Sequence, residues 1–293
     1  MIGELGYLNL VSNIIRYGNK HVGRNGNTIN HIGSTLRFSL ENDKMPILTT
    51  KKLAWRACLK ELIWFKNGET NTDYLLNNKV KIWDGNSSRE FLDSRGLYDY
   101  REGELGPIYG YQWRNWNKEY INENNSMRDL KYKDGIDQLQ NIIDSLKDEN
   151  RRYSRRLIMT AWNPEQLEEM ALPPCHVLCQ FHVTNKDELS CSLYQRSGDV
   201  GLGVPFNIAS YSFLTHILAK HCNLKAKEFI HFIGNAHIYD DHVEPLKKQI
   251  CRVPYEFPDI FVNKRDSIDD YSFNDIKVNN YKCHPGIKMN MRV

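Results

Sequence analysis

The chain has 293 residues, 41% of them hydrophobic, which is long enough to bury a large core in a single domain over 1–293, and no segment approaches the ~18 continuous apolar residues of a bilayer-crossing helix. A formal net charge of +3 is too mild and too evenly spread for a nucleic-acid groove and suits anionic small molecules instead. Seven scattered cysteines without a Cys-x-x-Cys pair argue against a secreted disulfide framework, and Glu4 stands where a signal peptide carries basic residues, so the expectation is a soluble cytoplasmic protein that needs neither membrane nor nucleic acid.

Leu5, Leu8, Ile14 and Ile15 set an amphipathic opening helix, and Gly23-Arg24-Asn25-Gly26-Asn27-Thr28 reads as a flexible polar loop whose arginine can close over a ligand. Trp55, Cys58, Leu59, Leu62 and Ile63 take the i, i+3, i+4, i+7 and i+8 positions of a buried helical face within 55–66. Ala57, Trp64 and Phe65 surround Glu61 on a second apolar face, so Glu61 reads as a buried carboxylate. Residues 115–134 turn polar and asparagine-rich, as an exposed insertion does. Ile136, Leu139, Ile143 and Leu146 form a helical stripe, 157–162 and 179–184 read as strands, and 189–194 alternates clearly between apolar and polar. A further helix covers 208–222. Helices and strands mix irregularly, with no repeat and no sustained βαβ rhythm, so the class is α+β.

Chemistry concentrates around Cys175, in Leu172-Pro173-Pro174-Cys175-His176, followed by Gln195-Arg196-Ser197-Gly198-Asp199. A free thiol is only partly ionised at neutral pH, and a nearby arginine lowers its pKa and makes a strong nucleophile of it. Arg155-Arg156 and Arg196-Ser197 add forked donors suited to phosphate, and Asn207 offers a donor and an acceptor able to read a base edge. The bland alternatives are a cysteine buried as inert packing and arginines solvated at the surface. Cys175, His176, Cys179 and His182 have spacings that tempt a zinc assignment. The period of a strand sends Cys179 and His182 to opposite faces, so no metal is expected. The run from His237 to His242 lacks the i, i+4 histidines and adjacent glutamate of a helical zinc site and reads as a hydrogen-bonding cluster.

Pro174-Cys175-His176, 189–199, 201–211 and 234–242 closely resemble the thymidylate synthase family. The resemblance runs through nearly the whole chain: Phe38, Thr49-Thr50-Lys51, 61–65, Ile82-Trp83-Asp84, 106–110 and the tail 288–293. It implies a large twisted sheet at a dimer interface surrounded by helices. It also implies reductive methylation of dUMP to dTMP, with 5,10-methylenetetrahydrofolate supplying the one-carbon unit and hydride and leaving as dihydrofolate. On that resemblance Cys175 attacks uracil C6, Glu61 manages protons with ordered water, and Tyr109 helps remove the C5 proton. Arg196 holds the thiolate and the phosphate, and Asp199 positions base and pterin. Arg24, Gln195, Ser197 and Gly198 belong to the nucleotide site, Asn207 reads the uracil edge, and His237 and Tyr239 bind the deoxyribose hydroxyl. Arg155 and Arg156 cross into the partner's site in an obligate homodimer. Lys51, Ala54, Ile82, Trp83, Leu202, Gly203, Phe206, Arg292 and Val293 line or close the folate site.

Four positions depart from the family pattern: Asn235 replaces aspartate, Ala54 a polar folate contact and Arg292 a small residue, and the Arg24 loop is one residue short. Two other functions compete. A dCMP hydroxymethylase shares the fold and thiol chemistry, but it resembles this pattern with aspartate where this chain has Asn207. A non-catalytic RNA-binding or regulatory protein on the same fold is marked by loss of Cys175 or Glu61, and both are present.

Overall fold

The computed structural model describes residues 2–23, 25–122 and 134–292. Arg24, Val293 and 123–133 of the expected insertion lie outside the described residues. The elements run α1 (Gly3–Tyr17), β1 (Asn19–Gly23), β2 (Gly26–Ser39), α2 (Trp55–Lys66), α3 (Asp73–Asn77), α4 (Arg89–Ser94), α5 (Tyr109–Asn115) and α6 (Gln138–Lys147). They continue with β3 (Ile158–Thr160), β4 (His176–Val183), β5 (Glu188–Asp199), α7 (Gly203–His221), β6 (Lys225–Tyr239), α8 (Val243–Ile250), β7 (Asp259–Val262) and β8 (Ile276–Asn279). The class is mixed α+β. Among the described residues no helix is long and apolar enough to cross a membrane.

Six strands form one sheet in the order β1-β2-β6-β5-β4-β3, and β7 pairs β8 separately. Every pair is antiparallel except β5 with β6, where Ser197 lies beside Asn235 and Asp199 beside His237. A parallel pair needs a crossover, and α7 supplies it. This helix is buried nearly all round, as a helix inside a core must be.

The apolar face read for α2 is buried as spaced: Trp55, Cys58, Leu59, Leu62 and Ile63. In α6, Leu139, Ile143 and Leu146 are buried, but Ile136 is exposed and precedes the helix. The Asp137 carboxylate accepts from the Gln140 N–H at 2.9 Å and starts the helix after it. Within the expected flexible loop at 23–28, Gly23 ends β1 and 26–28 open β2, with Gly23 opposite Gly26. Gly26, at φ 127°, takes a conformation that other residues rarely adopt. The helix expected from 208 begins earlier, at Gly203, because Pro205 falls in its first turn, where a missing N–H costs nothing.

Two close contacts place the elements that carry the site. Gly110 on α5 packs against the α2 backbone so tightly that a Cβ would lie 2.4 Å from the Phe65 carbonyl oxygen. The buried Glu4 carboxylate on α1 accepts from the backbone N–H of Thr49 and Thr50, at 2.8 and 2.7 Å, and from both hydroxyls, at 2.6 and 2.7 Å. Three residues along α1, the Tyr7 hydroxyl donates to the Val200 carbonyl at 2.8 Å. One helix therefore fixes both the 49–51 segment and the turn after β5. Glu4→Ala would leave three buried donors without an acceptor, the Thr49 hydroxyl keeping only the Tyr255 carbonyl at 3.5 Å, and each such loss costs about 1 kcal/mol or more. The variant should lose at least about 3 kcal/mol in urea unfolding, and a loss below about 1 kcal/mol would show that the clamp is not structural.

Candidate active site

A cavity of about 760 Å³ opens where the C-terminal ends of β5 and β6 meet the N-terminus of α7. Its wall brings together Glu61, Ile82, Trp83, Tyr109, Cys175, Gln195, Arg196 and Ser197. Asp199, Leu202, Gly203, Phe206, Asn207, His237, Tyr239 and Arg292 complete the sequence-derived set within it. Gly198 is buried in the strand behind that wall. Arg155 and Arg156 are exposed on the turn before β3, and Ala54 is exposed as the residue capping α2. Neither Ala54 nor the arginine pair lines the cavity.

Cys175 sits immediately before β4, and its backbone N–H donates to the Tyr109 hydroxyl at 2.9 Å. The Arg196 N–H donates to the Cys175 carbonyl at 2.9 Å. The Arg196 guanidinium donates to the carbonyls of Pro174 and Pro173, both at 2.9 Å, and lies over the Trp162 ring at 5.6 Å. The arginine is thus bonded to the segment that carries the thiol. Its electrostatic effect differs from the sequence expectation: burial raises the Cys175 thiol above its ordinary pKa, and Arg196 only opposes that rise.

Glu61, half-buried on α2, accepts from the Trp83 indole N–H at 2.7 Å. Phe65 and Trp83 pack on Tyr109 with ring centroids 4.8 and 6.0 Å apart. This aromatic wall pushes the carboxyl up to about 7 by burial, against the Trp83 hydrogen bond, which favours the anion. The same burial pushes the Tyr109 phenol up. His176 is held down to about 4 by burial, despite its hydrogen bond with Asn207, so its ring is neutral at pH 7.

At the other end, the Asp199 carboxylate accepts from the Gly201 N–H at 2.8 Å and lies 3.6 Å from His242 Nδ1. His242 Nε2 donates to the Asn290 carbonyl at 2.8 Å, which ties the tail to the cavity rim. Burial alone would lower the His242 pKa, but Asp199 raises it overall. Arg292 pairs with Asp241 at 2.9 Å and lies over the Tyr239 ring at 5.7 Å. Lys51 is buried, outside the cavity lining, and donates to the Gly201 carbonyl. Burial lowers its ammonium to about 8, against the pull of Asp199.

Several lining residues had no role in the sequence reading. His21, Asn25, Thr28 and Asn30 come from the β1–β2 hairpin, and Asn86 follows the Trp83 turn. Such polar strand residues carry no apolar alternation to mark them. Cys179 is buried and His182 half-buried on β4. Among the described residues no group of three or more His, Cys, Asp and Glu is arranged to hold a metal ion.

A thiol, a guanidinium and a raised carboxyl share one aromatic-walled cavity. The family model for thymidylate synthase matches residues 5–293. The chain is 50% identical to human thymidylate synthase over 296 residues, covering 99% of this chain and 91% of that protein. It is 48% identical to the bifunctional dihydrofolate reductase-thymidylate synthase of Plasmodium berghei over 290 residues, 98% of this chain and 48% of that one. It is also 48% identical to a probable thymidylate synthase of Schizosaccharomyces pombe over 300 residues, 98% of this chain and 47% of that one. The chain therefore spans about half the length of the last two relatives. It belongs to the thymidylate synthase family.

Glu61 gives the site a measurable pH signature. A carboxyl whose folded pKa lies above its unfolded value favours the fold while protonated. That contribution is complete below the ordinary carboxyl range and is lost as pH rises through about 7. Glu61→Gln should therefore gain on the wild type by up to about 3 kcal/mol as pH rises from about 4 to 8. Urea unfolding across that range checks it, and a pH-independent difference between the two proteins would exclude the raised carboxyl.

Proposed function

We propose that this chain catalyses reductive methylation of dUMP to dTMP with 5,10-methylenetetrahydrofolate, releasing dihydrofolate. The observation that carries the reading is the placement of Cys175, Arg196, Tyr109, Glu61 and Asn207 around one cavity. The Cys175 thiolate adds to uracil C6, and the resulting C5 carbanion takes the one-carbon unit. The C5 proton then leaves, assisted by Tyr109, and the folate amine is expelled. Hydride from the folate completes the methyl group as the C6–sulfur bond breaks and returns the thiolate. Two easier steps replace direct attack by a poor carbon nucleophile. Because burial holds the Cys175 thiol above its ordinary pKa, proton transfer from sulfur is the natural first step.

The residues divide between two ligands. Ser197 and Arg196, with Arg24, hold the phosphate, Gln195 and Gly198 shape the strand end that carries them, and His237 and Tyr239 take the deoxyribose hydroxyl. Asn207 complements the uracil edge, which favours dUMP over the cytosine substrate of a hydroxymethylase. Ile82, Trp83, Leu202 and Phe206 offer the folate an apolar wall. Asp199 and Gly203 meet the pterin, Lys51 supports the folate site from behind the wall through Gly201, and Ala54, Arg292 and Val293 serve the same ligand. Glu61, near 7, is poised to give and take protons at neutral pH.

We further propose an obligate homodimer through the outer sheet face, as one domain over 1–293 working in the cytoplasm. Tyr194 and Phe232 are register partners on that face, 45% and 41% exposed, and Ile158 on β3 is 45% exposed. Large apolar side chains side by side on an open sheet mark an interaction surface. Gln180 of the same face donates to the Arg155 carbonyl at 2.8 Å, so the arginine turn stands at its edge. From there Arg155 and Arg156 reach the partner's phosphate site.

With 5-fluoro-dUMP and the folate, wild type should form a covalent ternary complex seen as a mass increase, because fluorine cannot leave C5 as a proton does. Cys175→Ala should bind dUMP and form none. Absence of the wild-type adduct when both ligands are bound would rule out the nucleophile. An assay of dUMP turnover should register dihydrofolate absorbance, whereas a hydroxymethylase releases tetrahydrofolate and gives no such signal.

A composite site has its own signature. Cys175→Ala keeps its arginines and Arg156→Glu keeps its thiol, so a mixed dimer assembles one site with both parts. Subunit exchange between the two inactive variants should restore up to about half the wild-type activity per mixed dimer, by the symmetry of a two-fold interface. No recovery in purified, folded heterodimers would sink the shared site.

A further inference from the structure

His231 lies on β6 behind the cavity wall, fully buried, on the same inner sheet face as Gln195 of the neighbouring strand β5. His231 Nε2 is 2.8 Å from Gln195 Oε1. Gln195 Nε2 in turn donates to the Ser197 carbonyl at 2.8 Å. An amide nitrogen only donates and an amide oxygen only accepts, so the bond to Ser197 fixes which way the Gln195 amide faces. The imidazole must then carry its proton on Nε2. Its Nδ1 has no hydrogen-bond partner among the described residues, so a second proton there would be a stranded buried donor. Burial and the neighbouring His176 hold the ring down at about 3, which keeps it neutral. Gly198 leaves the space this chain of bonds requires, since a Cβ there would lie 3.2 Å from Gln195 Nε2 and 2.8 Å from Val204 Cγ2.

We infer that His231 is a positioning residue for the nucleotide: its Nε2–H braces the Gln195 amide in the sense the Ser197 carbonyl requires, and with it the Gln195-Arg196-Ser197 strand end that meets the phosphate. A reversed amide would face its oxygen to the Ser197 carbonyl and its NH₂ to the imidazole N–H, breaking both bonds at once. The inference rests on the proposed assignment of Gln195 and Ser197 to the dUMP site. It adds a residue that touches no ligand and reaches the substrate only through Gln195.

His231→Phe keeps a ring of similar size and removes the donor. The dUMP KM should rise about fivefold to tenfold, the loss expected for one hydrogen bond in a buried network, with kcat changed less than about twofold. His231→Gln keeps an N–H donor and should recover most of the affinity; a glutamine variant as weak as the phenylalanine one would overturn the role.

The double variant with Gln195→Ala decides the route of action. If Gln195→Ala alone leaves the dUMP KM unchanged, the assignment of Gln195 fails and the inference falls with it. If Gln195→Ala raises the KM and His231→Phe adds nothing further, His231 acts through the amide; multiplying effects overturn the proposal. Should His231→Phe not fold, nitrogen-15 NMR of wild-type imidazoles decides instead. A neutral Nε2–H ring down to about pH 5 is expected, and an Nδ1–H tautomer or a titration near the ordinary histidine pKa would overturn it.

Discussion

The parallel pairing of β5 with β6 is the constraint on which the site depends. Two parallel strands end on the same side, and the helix that joins them begins there too. Gln195, Arg196, Ser197 and Asp199 on one strand thereby face Asn235, His237 and Tyr239 on the other, with Gly203, Phe206 and Asn207 of α7 between. In open sheets ligands gather outside the carboxyl ends of parallel strands. Here a single parallel pair within an otherwise antiparallel sheet produces that arrangement. The Tyr7 contact of α1 secures the turn that leaves β5 and the Glu4 contacts secure the 49–50 segment, so the opening helix steadies the junction without entering the cavity.

At Cys175, burial and charge pull in opposite directions. A buried thiol loses solvation that an anion needs, and the Arg196 guanidinium offsets only part of that loss. What Arg196 secures is geometry. Its bonds to Pro173 and Pro174, together with the Tyr109 contact at the Cys175 N–H, hold the thiol segment from three sides. A sequence motif shows that a cysteine and an arginine belong together. It does not show how much water remains around the sulfur, and that amount decides the sign of the shift.

Legibility followed the strength of the local pattern. The α2 face was plain because five apolar side chains at helical spacing all enter the core, and from it the environment of Glu61 could be read. The β1–β2 hairpin was hidden, since its residues around Gly23 and Gly26 are polar and partly line a cavity, leaving neither alternation nor a buried face. The start of α7 was obscured by a glycine-rich, proline-containing first turn and by Leu202, which caps it with no side-chain hydrogen bond. The bond between His231 and Gln195 had no signal at all: it joins residues 36 apart that meet only because two strands run parallel. Lys51 shows the reverse case, where the resemblance supplied a site residue and the chain buries its ammonium against Gly201, behind the wall.

The contact at Gly110 links packing to proton chemistry. Glu61 rides on α2 and Tyr109 stands at the head of α5, and the gap between these helices is set where residue 110 meets the Phe65 backbone at less than the width of a methyl group. The separation of the carboxyl and the phenol is thus governed by an atom that is absent. A side chain there would act as a wedge, displacing two groups of one cavity wall without altering either of them. The smallest residue in the chain thus acts as the spacer between the two helices that carry Glu61 and Tyr109.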